Sequence, residues 1–180
     1  MSRELLLLGL IRKRGSHGYH LFDFLEKQLA FLADLKRPTS YALLERLRRH
    51  GDVTVTRERE GNRPERRVYA ITAGGEERFL QLLRENLAGF KPPRFPDATG
   101  LYFLDALPSD EARVLLEQRL RRIEAQVAEF RDRAAAHHGL AVWPVLDHYL
   151  AHLEADRAWL TGYLQIRKAM RDKTDASPQA

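Results

Sequence analysis

The sequence predicts a mainly α-helical chain in two parts, the first with one β-hairpin among its helices and the second built from helices alone. Apolar side chains recur every three to four residues along most of the chain, which is the period of an amphipathic helix. Two short β-branched runs interrupt this period once, and a proline-rich stretch midway separates the two parts. With 180 residues and 44% hydrophobic side chains, the chain can form two small globular domains.

The N-terminal segment predicts three helices. Residues 3–14 form the first, because leucine and isoleucine repeat there at helical spacing. Residues 17–32 form the second, with Ser16 as its N-cap and a broad apolar face. Pro38 begins the third, since proline suits the first helical turn, and Gly51 ends it.

A change of period after the third helix predicts a β-hairpin. Val53 and Val55 alternate with threonines, a Gly-Asn-Arg-Pro turn follows at residues 61–64, and a second apolar run occupies residues 68–71. Thr72 then caps a fourth helix, whose early glutamates complement the helix dipole. The order is three helices, a hairpin and a helix, which is the order of a winged helix-turn-helix domain.

Four segments follow from these boundaries. Residues 1–90 form the winged domain, and residues 91–97, which contain three prolines, form a linker. Residues 98–173 form an all-helical domain, and residues 174–180 form a polar tail that we expect to be disordered.

The all-helical domain contains two long helices, at residues 109–136 and 142–171. Their apolar side chains follow the spacing of a heptad seam: Leu116, Leu120, Ile123, Val127, Leu146, Leu150, Leu153 and Leu160. Because two helices this long cannot cover both seams within 90 residues, the seams predict a homodimer. The alternative is that the helices pack only on each other and on the winged domain.

The formal net charge of +5 is confined to one window. Residues 36–67 contain ten Lys or Arg against five Asp or Glu, whereas residues 91–180 contain thirteen of each. In a winged helix-turn-helix the third helix enters the major groove and the hairpin forms the wing, and the basic window covers both. Double-stranded DNA is therefore the predicted partner.

A helical layout at 100° per residue divides the third helix into two faces. One face clusters the apolar side chains with one serine: Ser40, Leu43, Leu44 and Leu47. The opposite face is polar: Thr39, Ala42, Glu45, Arg46 and Arg49. Arg46 and Arg49 then become outward cations that can contact phosphate or guanine. Arg63, Arg66 and Arg67 are the corresponding candidates in the wing.

An ordered set of segments also carries a family resemblance: Leu5-Leu6-Leu7-Leu8-Gly9-Leu10, Ser16-His17-Gly18-Tyr19, Thr39-Ser40-Tyr41 with Leu44 and Leu47, and Arg67, Tyr69, Thr72 and Gly75. Through these segments the N-terminal 90 residues resemble the PadR family of bacterial transcriptional regulators. The helical remainder resembles the dimerising C-terminal region of the longer members. The chain departs from the pattern at Ser40, where an aliphatic residue is usual, and at Ala42, where proline is common.

The resemblance implies a transcriptional regulator, commonly a repressor whose DNA spacing responds to a small molecule. It assigns phosphate contacts to Thr39 and Tyr41 at the start of the recognition helix, where backbone N–H groups favour anions. Tyr41 could instead brace the first two helices. A two-fold dimer predicts an inverted-repeat operator whose half-sites lie about 34 Å apart.

The last helix carries two tryptophans, Trp143 and Trp159, spaced sixteen residues apart. They are candidates for a pocket at the dimer interface that takes a small aromatic or hydrophobic effector, and the alternative is plain interface core. His148 and His152 share a helix face, but such pairs on a charged surface are usually ordinary surface residues. We expect no metal and no other cofactor.

Several classes of protein are excluded by what the sequence lacks. The chain has no cysteine, which excludes disulfides, thiolate catalysis and iron–sulfur clusters. It has no G-x-S-x-G, Walker A, G-x-G-x-x-G or H-E-x-x-H motif, so we expect no catalytic residues. The apolar run from Leu5 to Leu8 is far shorter than the about 20 residues of a membrane span, and a cytoplasmic protein is expected. The remaining rival is a winged-helix protein-interaction module without specific DNA readout.

Overall fold

The structure is a computed structural model that describes residues 2–14, 16–17, 23–24, 29, 31–32, 36–58, 66–93, 95 and 98–175. The chain divides into two compact units, Met1–Pro93 and Arg94–Ala180. The first unit contains the described strands as well as helices, and the second contains helices.

The elements of the first unit whose bounds the structure describes are α1 (Ser2–Arg14), β1 (Ser16–His17), α2 (Arg37–Arg49), β2 (Val53–Glu58), β3 (Arg66–Ile71) and α3 (Ala73–Ala88). The strands form an antiparallel sheet in the order β1-β3-β2. In the hairpin, Val53 pairs with Ile71 at one end and Glu58 with Arg66 at the other. The hairpin that follows α2 is therefore a wing in the predicted position.

The predicted start of the second helix is wrong. Ser16 and His17 form β1 instead, because their extended backbone pairs with Tyr69 and Val68 at the free edge of β3. Asp23 and Phe24 are helical, and most of the remaining predicted helix lies outside the described residues.

Helix α2 is the predicted third helix, and its burial follows the helical layout. Leu43, Leu44 and Leu47 are buried together with Ser40, whose Oγ donates a hydrogen bond of 3.2 Å to the carbonyl oxygen of Lys36. This bond satisfies the buried hydroxyl. After the helix, Gly51 adopts a φ of +80°, a left-handed conformation that glycine reaches without steric cost.

Thr72 and Gly75 attach the start of α3 to the turn between α2 and the wing. The Thr72 hydroxyl donates to the carbonyl oxygen of Gly51 at 2.6 Å and accepts from the backbone N–H of Gly75 at 3.0 Å. A Cβ atom on Gly75 would lie 1.9 Å from the carbonyl oxygen of Asp52. Only glycine therefore allows this approach, which fixes the wing relative to α2.

The core of the first unit combines α1, α2, α3 and the sheet. Its buried apolar side chains come from these elements and from Leu29, which lies between β1 and α2 in the sequence: Leu7, Leu8, Leu10, Ile11, Leu29, Leu43, Leu44, Leu47, Val53, Tyr69 and Leu82. Since α2 contributes only one face to this core, its other face stays at the surface.

The second unit is organised by two long helices. Its elements are α4 (Thr99–Tyr102), a 3-10 turn (Leu104–Ala106), α5 (Ser109–Ala136) and α6 (Trp143–Asp175). Helices α5 and α6 pack antiparallel, because Arg131 pairs with Glu154 at 2.6 Å near one end while Arg171 pairs with Asp110 at 3.0 Å at the other. Helix α6 continues to Asp175, so the first two residues of the predicted tail are helical.

The predicted dimer seams form the core between these two helices. Leu116, Val127, Leu146, Leu153 and Leu160 are buried within one chain. Leu120, Ile123 and Leu150 are partly buried. The five buried side chains are therefore covered within one chain, because two consecutive antiparallel helices turn their apolar stripes toward each other. Leu120, Ile123 and Leu150 keep exposed area, and their contact with a second chain stays a prediction.

Among the described residues, no helix combines the length and the apolar character needed to cross a membrane.

Candidate nucleic-acid interface

The exposed face of α2 carries the polar residues that the helical layout placed there. Its exposed side chains include those predicted to face DNA and one further arginine: Thr39, Tyr41, Ala42, Glu45, Arg46, Arg48 and Arg49. The leucines on the opposite face pack into the core and hold α2 in place. The polar face of the helix therefore lies at the surface.

An ion pair at the centre of this face joins Glu45 to Arg48. The Nε of Arg48 donates to both carboxylate oxygens, at 3.2 and 3.0 Å, and its Nη2 donates to Oε1 at 2.6 Å. This hydrogen bonding is the main reason that the pKa of Glu45 lies below its ordinary value. Desolvation, the second-largest influence, raises the pKa, and the positive charges of Arg48, Arg49 and Arg67 lower it further.

The same effect relates the helix to the wing. Arg49 belongs to α2 and Arg67 to β3, yet the charges of both act on the Glu45 carboxylate. The exposed face of α2 and the basic wing strand therefore lie on one side of the unit. We call this region the α2–wing surface, and its residues are Thr39, Tyr41, Glu45, Arg48, Arg49, Arg57 and Arg67.

The wing contributes a pair of arginines. Arg57 of β2 lies opposite Arg67 of β3, and both side chains are exposed. Arg57 was not among the candidates, although it belongs to the charged stretch just before the predicted turn. Arg63 lies outside the described residues, as does the side chain of Arg66, whose backbone pairs with Glu58.

Arg46 is held toward α1. Its Nη2 donates a hydrogen bond to Oε1 of Glu4, and Oε2 of Glu4 lies 3.6 Å from Nη2 of Arg78 on α3. The Glu4 side chain is only 15% exposed. Arg46 is exposed, as the helical layout predicted, and its guanidinium also pairs with a carboxylate on a neighbouring helix. Its contact with DNA stays a prediction.

Thr39 and Tyr41 lie in the first turns of α2, and both are exposed. The N-cap residue, Lys36, makes no side-chain capping bond, so the positive end of the helix dipole is not offset by a capping oxygen. The start of α2 therefore favours an anion electrostatically.

The two tryptophans of α6 lie apart within one chain. Sixteen residues correspond to about 24 Å along a helix. Trp143 meets the ring of His138 edge-on at 5.0 Å, whereas Trp159 stacks on Tyr163 with a ring separation of 5.4 Å. One chain alone thus does not bring both tryptophans to one pocket, and the predicted pocket at a dimer interface stays a prediction.

His148 and His152 of α6 lie close together, but two histidines alone do not make a metal site. The rings of His148 and His152 lie 4.7 Å apart. Within the part of the chain that the structure describes, no group of three or more His, Asp or Glu side chains is arranged to hold a metal ion.

An exposed apolar stripe runs along the C-terminal half of α6. Trp159, Ile166 and Met170 are 50%, 56% and 64% exposed, and Tyr163 lies between them. The Arg171–Asp110 pair brings the start of α5 beside the end of α6 that carries this stripe. Val114 and Leu115, near the start of α5, are also exposed. The sequence analysis missed Ile166 and Met170, although the spacing from Trp159 to Met170 is itself that of a heptad seam.

Comparisons with known proteins agree with this arrangement. The negative transcriptional regulator PadR of Bacillus subtilis is 23% identical over 175 residues, which cover 93% of this chain and 96% of that protein. The crystal structure of Bacillus subtilis PadR in complex with operator DNA matches with a TM-score of 0.80 and 20% identity, over 91% of this chain and 98% of that one. Bacillus subtilis PadR in complex with p-coumaric acid matches with a TM-score of 0.73 and 19% identity, over 93% and 99%.

These structural likenesses confirm the predicted fold class, a winged helix-turn-helix followed by helices. Residues 7–81, which include the C-terminal part of α1, α2, the wing and the first half of α3, match the family model described as the transcriptional regulator PadR-like family. The family resemblance carried by the sequence segments is thereby confirmed, and its members regulate transcription rather than catalyse a reaction. Residues 7–81 of the chain thus match the PadR-like family of transcriptional regulators, and the chain as a whole is similar to Bacillus subtilis PadR.

Proposed function

We propose that the chain is a repressor that binds an inverted-repeat operator in double-stranded DNA as a homodimer. Helix α2 would lie in the major groove while the wing contacts the neighbouring backbone. The observation that carries this proposal is that α2 buries its leucines and exposes Arg49, while Arg57 and Arg67 lie opposite each other, both exposed, on the wing that follows it. The related Bacillus subtilis PadR is a negative regulator that has been crystallised with operator DNA, which supports both repression and operator binding as the proposed function.

The proposed domains have separate roles. Residues 1–90 bind DNA, residues 91–97 link the domains, residues 98–173 dimerise and residues 174–180 form a tail. The contact-based boundary between Pro93 and Arg94 falls inside the proposed linker, which supports this division. A DNA-binding regulator of this family would act in the cytoplasm.

The proposed DNA contacts divide by chemistry. Thr39 and Tyr41 bind phosphate at the start of α2, where the helix dipole attracts anions. Arg49 binds phosphate or a base edge from the outward face of α2, and Arg67 binds the backbone beside the wing. Arg63 and Arg66 extend the wing contacts. Arg46 pairs with Glu4, so it would contact DNA only where that pair opens.

The proposed dimer contact is the exposed apolar stripe of α6 with the adjoining end of α5. Contiguous exposed apolar side chains on a polar surface indicate an interface. A two-fold axis through this contact would place two recognition helices about one turn of DNA, or about 34 Å, apart. The inverted repeat follows from this symmetry.

We also propose that a small aromatic or hydrophobic molecule regulates binding from the helical unit. The stacked Trp159 and Tyr163 rings offer an exposed aromatic surface there, and the related regulator has been crystallised with p-coumaric acid. An effector shifts the equilibrium only if it binds the two conformations unequally. Titration with p-coumaric acid, followed by tryptophan fluorescence and DNA affinity, tests this step.

Selection of bound fragments from random duplexes tests the main proposal. The full chain should enrich a palindrome, and its affinity for that palindrome should fall steeply with salt, by about 0.9 logarithmic units per phosphate contact for each tenfold rise. If no DNA motif is enriched and the amount of DNA retained does not fall as salt rises, a winged-helix module that binds proteins is favoured instead.

A further inference from the structure

One acidic side chain lies within the cationic face of α2. Glu45 is the only Asp or Glu in Arg37–Arg49, and its side chain is exposed. Phosphates repel a carboxylate, so Glu45 weakens non-specific attraction at the centre of a surface that should bind a polyanion. A side chain with this effect can contribute to DNA recognition only by selecting among base sequences.

The carboxylate is held in a defined position. Arg48 donates to both of its oxygens, which fixes the plane of the group against free rotation. Oε2 accepts only the 3.0 Å bond from Nε among the described residues, which leaves lone pairs of this oxygen for another donor. An exposed glutamate is ionised at neutral pH and the bond from Arg48 lowers its pKa further, so the group acts as an acceptor alone.

Base edges in the major groove discriminate sharply against such a group. Guanine presents two acceptors, and thymine presents an acceptor and a methyl group, so neither can donate to a carboxylate. Adenine offers its N6 amine, but its neighbouring N7 acceptor repels the second oxygen. Cytosine presents the N4 amine without an adjacent acceptor on its major-groove edge, and it is the base that a carboxylate selects.

We propose that Glu45 determines the base specificity of α2, by accepting a hydrogen bond from the N4 amine of one cytosine in each half-site. Arg48 is the positioning residue, since it fixes the carboxylate and neutralises its charge. Arg49 and Arg67 are left to attract the flanking phosphates. This inference rests on the proposed function, because it requires α2 to lie in the major groove.

The competing interpretation is a plain surface ion pair three residues apart on a helix. Such a pair affects helix stability slightly and carries no sequence information. The two interpretations differ in one measurable quantity, the base preference of the variant proteins.

The experiment compares motifs selected from random duplexes by the wild-type chain, Glu45→Gln, Glu45→Ala and Glu77→Gln. Glu77→Gln is the matched control, because Glu77 is an exposed helical glutamate on α3. The wild type and the control should share a motif with one cytosine per half-site, preferred by about tenfold or more. Glu45→Gln should change that base to adenine, since an amide pairs with N6 and N7, and Glu45→Ala should lose the preference there alone.

Arg48→Ala provides the positioning readout. It should broaden the preference at the same base position while the other positions keep their enrichment, which a role confined to stability would not produce. Circular dichroism melting identifies any variant that fails to fold. If Glu45→Gln and Glu45→Ala select the wild-type motif, Glu45 does not read a base and the inference fails while DNA binding stands. If the wild type itself enriches no motif, the proposed function fails together with the inference.

Discussion

Glu4 of α1 accepts a hydrogen bond from Nη2 of Arg46 on α2, across 42 positions of sequence. The same carboxylate lies 3.6 Å from Arg78 of α3, so one side chain ties together three helices of the first unit. Arg46 and Arg49, which a helical layout treats as equivalent outward cations, thus differ in what their guanidinium groups contact. Among the described residues, Arg49 makes no ion pair.

Substitution of the two arginines should separate these roles. Arg49→Ala should weaken binding to all DNA sequences and reduce the salt dependence of affinity by about one unit, because one phosphate contact is lost. Arg46→Ala should leave the salt dependence unchanged and lower the free energy of unfolding by less than about 1 kcal/mol, since the Glu4 pair is partly exposed. Fluorescence anisotropy across salt concentrations and urea unfolding measure the two quantities. A reduced salt dependence in Arg46→Ala would show that the Glu4 pair opens on DNA.

Two adjacent glycines at the start of α3 should respond in opposite ways to alanine. A Cβ on Gly75 would lie 1.9 Å from the carbonyl oxygen of Asp52, so Gly75→Ala has to push α3 away from the wing. We expect it to lower the free energy of unfolding by about 3 kcal/mol or more, as severe overpacking does. At Gly74 the nearest atom to a new Cβ is 3.8 Å away. Gly74→Ala should therefore stabilise the chain by about 0.4–1 kcal/mol, through a less flexible unfolded chain.

Urea unfolding of both variants measures the difference. Equal stability of Gly74→Ala and Gly75→Ala would contradict the close approach of α3 to the Asp52 carbonyl. Because Gly75 also donates its N–H to Thr72, Thr72→Ala is a useful third variant, and it should cost about 1 kcal/mol as a lost N-cap.

Much of α2 and the wing could be predicted because their signals are local. Burial of Ser40 with Leu43 follows directly from the 100° rotation per residue, and the alternation around Val53 predicts a strand. The Glu4–Arg46 pair could not be predicted, since no local period relates residues that are distant in sequence. The packing partner of the heptad seams could not be predicted either. An apolar stripe indicates that Leu116 and Leu153 are buried, but not whether they pack against the same chain or a second one.

The pKa of Glu45 should be measurably low and should depend on Arg48. The hydrogen bond from Arg48 and the charges of Arg48, Arg49 and Arg67 stabilise the ionised form, so the carboxylate should titrate below the ordinary value of 4.5. A depressed pKa in the folded chain adds stability above the unfolded value and loses it as the pH falls through the folded value. Carbon-13 NMR titration of the glutamate carboxyls follows this group directly.

Arg48→Gln should raise the Glu45 titration midpoint toward the ordinary value, because the largest cause of the shift is removed. Added salt should have a smaller effect in the same direction, since it screens the charges of exposed arginines but leaves the hydrogen bond. A midpoint that stays in place in Arg48→Gln would mean that the ion pair does not form in solution.

The exposed stripe of α6 should control the oligomeric state, and the buried stripe should control stability. Ile166 is 56% exposed, so Ile166→Glu should leave the fold intact but introduce a charge into the proposed dimer contact and produce monomers. Leu160 is fully buried against α5, so Leu160→Ala should lower the free energy of unfolding by about 2–5 kcal/mol. Light scattering after size exclusion measures the mass, and thermal unfolding measures the stability.

Gln165→Glu is the matched control for Ile166→Glu, because it adds the same charge at a neighbouring exposed position of α6. This control should remain a dimer. If Ile166→Glu also remains a dimer at low micromolar concentration, the two chains meet elsewhere and the exposed apolar stripe has another partner. If instead Leu160→Ala dissociates the dimer without loss of stability, the leucine core of the hairpin would have to exchange between chains. The antiparallel packing of α5 on α6 argues against that outcome, since it already buries Leu160 completely within one chain.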